Sequence, residues 1–518
     1  MRNKRIIERN IIMTPPAEDE NIFRSIGVEP IINCRGTFTI IGGSIERPEV
    51  LTAMKAASKH FVQYDELAEG VGKRLAEITG AEWGLIPAGC AAGLKHVTAA
   101  CVTGGNPEKL IRIPDLTGLD KTQVIIPRSS RNTYDHAVRN IGIEIIMIDT
   151  PEELERAINP RTAMIYLNSG GASATGQPLS LEAIAAIAKP HKIPILVDAA
   201  AENLTIPPVH LERGADVVAY SGGKALCGPQ GAGLVLGDKA ILMSAWQASS
   251  PHHGPNRDNK ISREEIMGML AAVEAWTTRD HDGEWQTWLA YLGLITQQVS
   301  QIEGISTQVV EPTGTSNVAP TLEISWDPLA LHITGEEVAE NFARNAPRIA
   351  IGGRSAEGKT SIHVTPSQMQ PGEAEIVAER IHAFLSETRS PKPVEMAAAA
   401  ADIDGHWELT VEYFTSSSSE HRLFLQQEGN WVQGMHQSDF SNQQINGTVE
   451  GSQVKLQSVA QHTADGVPFL FSGEINQDEM AGSIHLGEYL TARFTARRAH
   501  YNTVHRSVEI PGGPPLAT

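Results

Sequence analysis

The stretch TAMIYLNSGGASATGQPLSLEAIAAIAKPHKIPILVDAA, residues 162–200, constrains this fold most. AMIYL is a continuous apolar run of strand length. Ser180 is placed to cap a helix whose residues Leu181, Ile184, Ile187 and Ala188 share one face. Pro190 ends that helix, and IPILV reads as the next strand. A strand, a helix and a second strand this close together require a parallel pair joined by a right-handed crossover. GADVVAY and GAGLVLG continue the sheet, and ISREEIMGMLAAVEAW opens a helix with a capping box of Ser262 and Glu265. An α/β texture runs from Phe23 to about Glu387.

The rhythm changes twice along the chain. Beyond residue 290, TLEISW, IAIGG and SIHVTP alternate with helical runs, which predicts a smaller α+β subdomain. After the Pro/Ala-rich TRSPKPVEMAAAAADIDG, segments such as HWELTVEYF, INGTVEGSQVKLQS and LTARFTARR alternate apolar and polar residues. That period predicts an antiparallel barrel or sandwich, with Trp407, Phe424, Trp431 and Phe471 in its core. The expected organisation is an arm at 1–24, a large domain at 25–289 and a small subdomain at 290–388. A linker at 389–402, a β-rich domain at 403–499 and a tail at 500–518 complete it.

Charge and cysteine usage narrow the function classes. The formal net charge of -19 argues against a broad nucleic-acid interface, which needs a basic face. Cys34, Cys90, Cys101 and Cys227 form no CxxC pair, so neither a disulfide framework nor a zinc site is expected. The start has no signal-like apolar core, and no run is long enough for a membrane helix. The expectation is a cytoplasmic protein with no nucleic-acid or membrane partner and no metal.

Four features fall in an order that one cofactor explains. Gly89, Cys90, Ala91 and Ala92 belong to a small-residue run leading into a helix expected to start near Leu94; free N–H groups at such a start cradle phosphate. Asp198 ends IPILVD, at the carboxyl end of a parallel strand where α/β ligands bind. Lys224 sits among glycines in YSGGKALCGPQGAG, where a ligand can approach closely, and Ser221 offers a hydroxyl three residues earlier. The small-residue run, Asp198 and Lys224 each have a plainer structural alternative: close helix packing, a helix cap, a surface-turn lysine. Together they read as a pyridoxal 5′-phosphate site. Lys224 is the imine-forming lysine, Asp198 the partner of the pyridine N–H, and Gly89–Ala92 with Ser221 the phosphate holders.

VEPIINCRGTFTIIGGS, GKRLAEITGAEWGLIPAGCAAGL, VDAA and GADVVAYSGGKALCGPQGAGLVLG together resemble the selenocysteine synthase-like group of fold-type I pyridoxal phosphate enzymes. The resemblance spans roughly residues 23–385. PRSSRNTYDHAVR and GGNPEKLIRIPDLTGLDKTQ look most like its D-glucosaminate-6-phosphate ammonia lyase branch. It implies the fold-type I fold, the roles of Lys224 and Asp198 given above, and a homodimer or higher homo-oligomer with shared sites. It also places the ring-covering group in the loop after QVIIP, which holds Arg131, Asn132, Tyr134 and His136. Asn168 is a candidate partner of the cofactor, as is Asn132. Arg35 and Arg354 are candidate carboxylate clamps, and Arg257 in SSPHHGPNRDNK a candidate phosphate contact. The expected activity is that of a lyase on an amino acid. It would run through an external aldimine and an α-carbanion to β-elimination and ammonia release. The alternatives are a racemase or epimerase, a selenium or sulfur transferase, or a non-catalytic ligand-binding or sensor protein.

Overall fold

The computed structural model describes residues 22–393, 395–459 and 466–499. Its backbone contacts separate two units at Pro391/Lys392. In the first, a short strand β1 (Ile31–Asn33) precedes seven strands of one large sheet. These are β2 (Trp83–Leu85), β3 (Gln123–Pro127), β4 (Glu144–Ile148), β5 (Thr162–Asn168), β6 (Ile195–Asp198), β7 (Val217–Ser221) and β8 (Gly233–Gly237). Their order is β2-β8-β7-β6-β5-β3-β4. Strands β3 to β7 run parallel, and β8 lies antiparallel between β7 and β2.

The crossover read from residues 162–200 is present. Ser180 Oγ accepts from Ala183 N at 3.3 Å and starts the helix Leu181–Ala188, and β5 pairs with β6 from Ile165↔Ile195 to Asn168↔Asp198. The unbroken apolar run of β5 follows from burial on both faces. Ile165 and Leu167 enter one core, Met164 and Tyr166 the other.

Five further strands follow: β9 (Ser306–Val310), β10 (Thr321–Trp326), β11 (Arg348–Ala350), β12 (Gly352–Ala356) and β13 (Lys359–Val364). Four make an antiparallel sheet in the order β12-β13-β10-β9, while β11 pairs in parallel with β1. Residues 31–34, expected in the large domain, therefore pack with the small subdomain, where Cys34 shares a core with Leu322, Phe342 and Ile381. The helix His281–Val299 also runs unbroken through the expected 289/290 boundary. Its buried Leu292, Ile295 and Val299 keep helical spacing and carry it into that same core.

The second unit is a closed antiparallel barrel of eight strands: β14 (Gly405–Glu412), β15 (Ser418–Glu428), β16 (Trp431–Gln437), β17 (Asn442–Glu450), β18 (Gln453–Ser458), β19 (Phe469–Asn476), β20 (Glu479–His485) and β21 (Thr491–Arg498). Closure pairs β21 with β14 and removes both sheet edges. Trp407 and Phe471 lie in the core, and Phe424 is half-buried with its ring 4.7 Å from that of His406. Trp431 is a correction to the core expected from sequence. It is 66% exposed, because Val432 takes the inward position of the alternation at that strand end.

The barrel interior also holds histidines that the alternation pattern gave no reason to single out. His421 and His436 are buried, with His421 Nδ1 2.9 Å from His436 Nε2. Burial holds both below the usual imidazole value of 6.5, and His436, with His421 beside it as a second cause, falls to about 3. An unfolded chain takes protons on these rings below 6.5, while in the folded barrel both resist, His436 until about 3. Their contribution to stability is complete above 6.5 and declines as pH falls toward 3. Urea unfolding of the barrel from about pH 7 to about pH 4 is expected to show that loss, and His436→Asn to flatten the slope. Equal acid slopes in the two proteins would count against it.

Among the described residues, no helix is long and apolar enough to cross a membrane.

Candidate active site

The carboxyl ends of the parallel strands supply the site. Asp198 ends β6 and is 4% exposed. Its Oδ2 accepts from Tyr166 Oη at 2.9 Å, and its Oδ1 from Ala200 N at 3.1 Å and, weakly, from Cys90 Sγ at 3.6 Å. Asn132 Nδ2 reaches the same tyrosine oxygen at 3.5 Å. Burial pushes the Asp198 carboxyl above the ordinary carboxylate value; these donors and the Lys224 ammonium pull it back only in part. Burial and the Asp198 charge also raise the Tyr166 hydroxyl and the Cys90 thiol, keeping both protonated donors. A buried carboxylate with only neutral donors in direct contact is short of positive charge, and a ligand N–H⁺ is the group that would complete it.

The cradle adjoins Asp198, since Cys90 at its helix start reaches Asp198 Oδ1. The helix Cys90–Thr103 begins at Cys90, four residues earlier than the sequence reading placed it, because Gly89 at φ 92° turns the chain where other residues rarely go. No side chain caps this start, so the N–H groups of Cys90, Ala91 and Ala92 have no intrahelical acceptor. The strand β8 presses on it from below: Gly233 N donates to Pro87 O at 2.9 Å. A Cβ on Gly233 would stand 2.5 Å from Gly89 C and 2.7 Å from Cys90 N, which is backbone that cannot swing aside. Gly233→Ala is therefore expected to displace the cradle and weaken cofactor binding at least tenfold, while costing about 1–3 kcal/mol of stability. Titration of apo-protein with pyridoxal phosphate checks it, and unchanged affinity would refute it.

Lys224 follows the end of β7 by three residues and is half-buried. The glycines around it serve close packing. Gly222 and Gly228 leave room for Met269, and Gly223 for the Gln230 side chain, which also fills the space beside Gly43. None of those three has a positive φ. Ser221 ends β7, opposite Gly233.

The other sequence-predicted residues separate into two groups. Asn168 ends β5 in register with Asp198, and its backbone O accepts from Ser173 Oγ at 2.8 Å. Asn132 joins the Tyr166–Asp198 chain. Arg131, in contrast, is turned inward against buried Asp135, which also takes Arg139 Nε at 3.0 Å. The carboxylate that holds Arg131 lies four residues along the same loop. Tyr134, His136, Arg35 and Arg354 are exposed in the protomer. The Arg35 guanidinium lies 4.9 Å from the Phe38 ring centre. Arg257 is half-buried, its N–H on Gly254 O at 3.2 Å, in a loop where His252 Nε2 sits 3.1 Å from Asp65 Oδ1.

Sequence reasoning missed Tyr166, which looked like one more apolar strand residue. It also missed Glu202, whose buried carboxylate lies 2.6 Å from His210 Nε2, four residues past Asp198. Around Glu202, Asn203 N donates to Thr315 O at 3.0 Å and Asn317 N to Ala201 O at 2.8 Å, tying a small-subdomain loop to the strand ends. The only sequence signal was a carboxylate in the otherwise small-residue run DAAAENL.

The Aminotransferase class-V family model matches residues 133–258, a span that contains Asp198 and Lys224. D-glucosaminate-6-phosphate ammonia lyase from Salmonella typhimurium is 31% identical over 303 residues, covering 57% of this chain and 78% of the relative. The chain belongs to the selenocysteine synthase-like group of fold-type I pyridoxal phosphate enzymes. Pyridoxal 5′-phosphate is its cofactor. A solved structure of D-glucosaminate-6-phosphate ammonia-lyase superposes with a TM-score of 0.63 at 26% identity, covering 71% of this chain and 99% of the other. A Streptomyces 5'-C-glycyluridine monooxygenase-decarboxylase is 25% identical over 378 residues, 70% of this chain and 92% of the relative.

Proposed function

We propose that this protein is a lyase acting on an amino acid, with β-elimination and release of ammonia and a 2-oxo acid. The observation that carries the reading is Asp198. It is buried and hydrogen-bonded, feels the Lys224 charge, and stands beside an uncapped helix start. The bound cofactor supplies an electron sink for the pair left when the Cα–H bond breaks.

The chain's own residues do the rest. Asp198 holds the pyridine N–H, and Tyr166, steadied by Asn132, keeps that carboxylate oriented. The N–H groups of Cys90, Ala91 and Ala92 with the Ser221 hydroxyl hold the phosphate. Lys224 would hold the cofactor through Nζ, and as a free amine the same atom would take the α-proton. Arg35 or Arg354 fixes the substrate carboxylate. The relatives with ammonia lyase in their names support elimination as the outcome.

The working form is a homodimer in which each copy completes the other's site. Exposed Phe23, Ile26, Ile40, Ile45 and Phe61, clustered along the N-terminal part of the chain, support an apolar contact face. The exposure of Tyr134, His136 and Arg35 leaves them available to a second copy. Light scattering on the purified protein is expected to give at least twice the monomer mass, and a monomer with full activity would refute the shared site.

Assays for ammonia and 2-oxo acid with β-hydroxy amino acids test the reaction. Silence toward all of them with cofactor bound would sink it. The Streptomyces relative favours a second reading, in which O2 is consumed and CO2 released, and the same reactions monitored for both gases separate the two.

A further inference from the structure

At one end of the barrel, six inward-facing polar groups form a single hydrogen-bond chain, and the chain has a direction. The carbonyl Oε1 of Gln443 only accepts, so Ser458 Oγ donates to it at 2.8 Å. Ser458 then accepts from His436 Nδ1 at 3.0 Å, which leaves His436 Nε2 as an acceptor. His421 Nδ1 donates to that nitrogen at 2.9 Å, so His421 Nε2 accepts from Ser419 Oγ at 2.8 Å. Ser419 in turn accepts from Tyr413 Oη at 2.9 Å. Every proton points toward Gln443.

The chain ends unfinished. Gln443 is 7% exposed, and its Nε2, with two N–H donors, has no acceptor among the described residues. Leaving such donors buried and unmet is costly. Aligned bonds of one polarity also place their positive end at this amide. A groove of about 460 Å3 lined by Glu408, Glu420, His421, Arg422, Gln437 and Ser438 lies beside His421, one member of the pair. Its two carboxylates disfavour a ligand of high negative charge. Small eight-stranded barrels have room for side chains or for one small ligand.

We propose that this end of the barrel binds a small monocarboxylate, whose oxygens accept from Gln443 Nε2. The site stands apart from the reading of the active site, since none of its residues belongs to that machinery.

Calorimetric titration of the full-length holoenzyme with acetate tests it, with acetamide, methylammonium chloride and potassium chloride as controls. Acetate is expected to bind and the controls not. Gln443→Met should weaken acetate binding roughly 10- to 100-fold with turnover unchanged. Equal binding of acetamide would overturn the carboxylate assignment. Binding of methylammonium instead would mean that the amide presents its oxygen. Nitrogen NMR of histidine-labelled protein needs no variant: both rings are expected to carry the proton on Nδ1, with shifts on adding acetate. Protons on Nε2, or no acetate response, would overturn the proposal.

Discussion

Lys224→Ala leaves a folded protein that lacks the visible absorbance of covalently held pyridoxal phosphate and turns over about 1,000-fold more slowly or worse. On the proposed reading the size follows from two losses at one atom, since the same Nζ would anchor the cofactor and accept the α-proton. The fold should survive, because Lys224 is half-buried outside the core clusters and the glycines beside it make room for Met269 and Gln230. Lys224→Arg separates charge from covalency. It returns a cation to the neighbourhood of Asp198 without an amine that forms an imine, so the absorbance should stay absent. A Lys224→Ala protein that keeps both absorbance and turnover would mean that another lysine carries the cofactor.

Asp198→Asn is expected to lower turnover about 100-fold or more, the scale of removing one preorganised electrostatic partner. The amide keeps one oxygen to accept from Ala200 N and turns its NH2 as a donor toward Tyr166 Oη, but it can no longer hold a cationic N–H by charge. Its effect on the apo-protein runs the other way. The folded-state value of Asp198 is raised, so the folded chain holds this proton longer than the unfolded chain does. Its contribution to apo stability is therefore greatest near and below the ordinary value of 3.8 and is lost as pH rises through the raised one. Asp198→Asn should abolish that slope and leave the apo-protein at neutral pH no less stable than the parent. Cofactor binding to the parent should suppress the slope too, by supplying the missing positive partner. A variant that is much less stable without cofactor, yet keeps its turnover, would reduce Asp198 to a structural residue.

The two residues on which these expectations rest were legible in the sequence for local reasons. Asp198 closes an apolar run of strand length, and Lys224 interrupts a glycine-rich turn between two such runs. Substrate-side arginines were less legible, since a guanidinium in a loop looks the same whether it awaits a ligand or already has a carboxylate. Arg131 has Asp135, and nothing in the spacing distinguished that from an open clamp. Trp431 failed for a related reason: alternation gives two faces, and a strand-end residue can fall on the outer one.

What the sequence by itself determined was therefore local. The period of 2 or 3.6 marked strands, helices and their buried faces; Ser180 and Ser262 set helix starts; the composition change after residue 388 marked a different architecture. Only the tertiary structure decided which remote groups meet. Tyr166 and Cys90 reach Asp198 from 32 and 108 residues away, and β1 finds its partner β11 across the small subdomain. Closure of the barrel brought His421, His436, Ser458 and Gln443 into one directed chain. The physical reason is that side-chain periodicity records which face of an element is buried. The identity of what lies against that face comes from packing and hydrogen-bond demands that are satisfied only across the assembled fold.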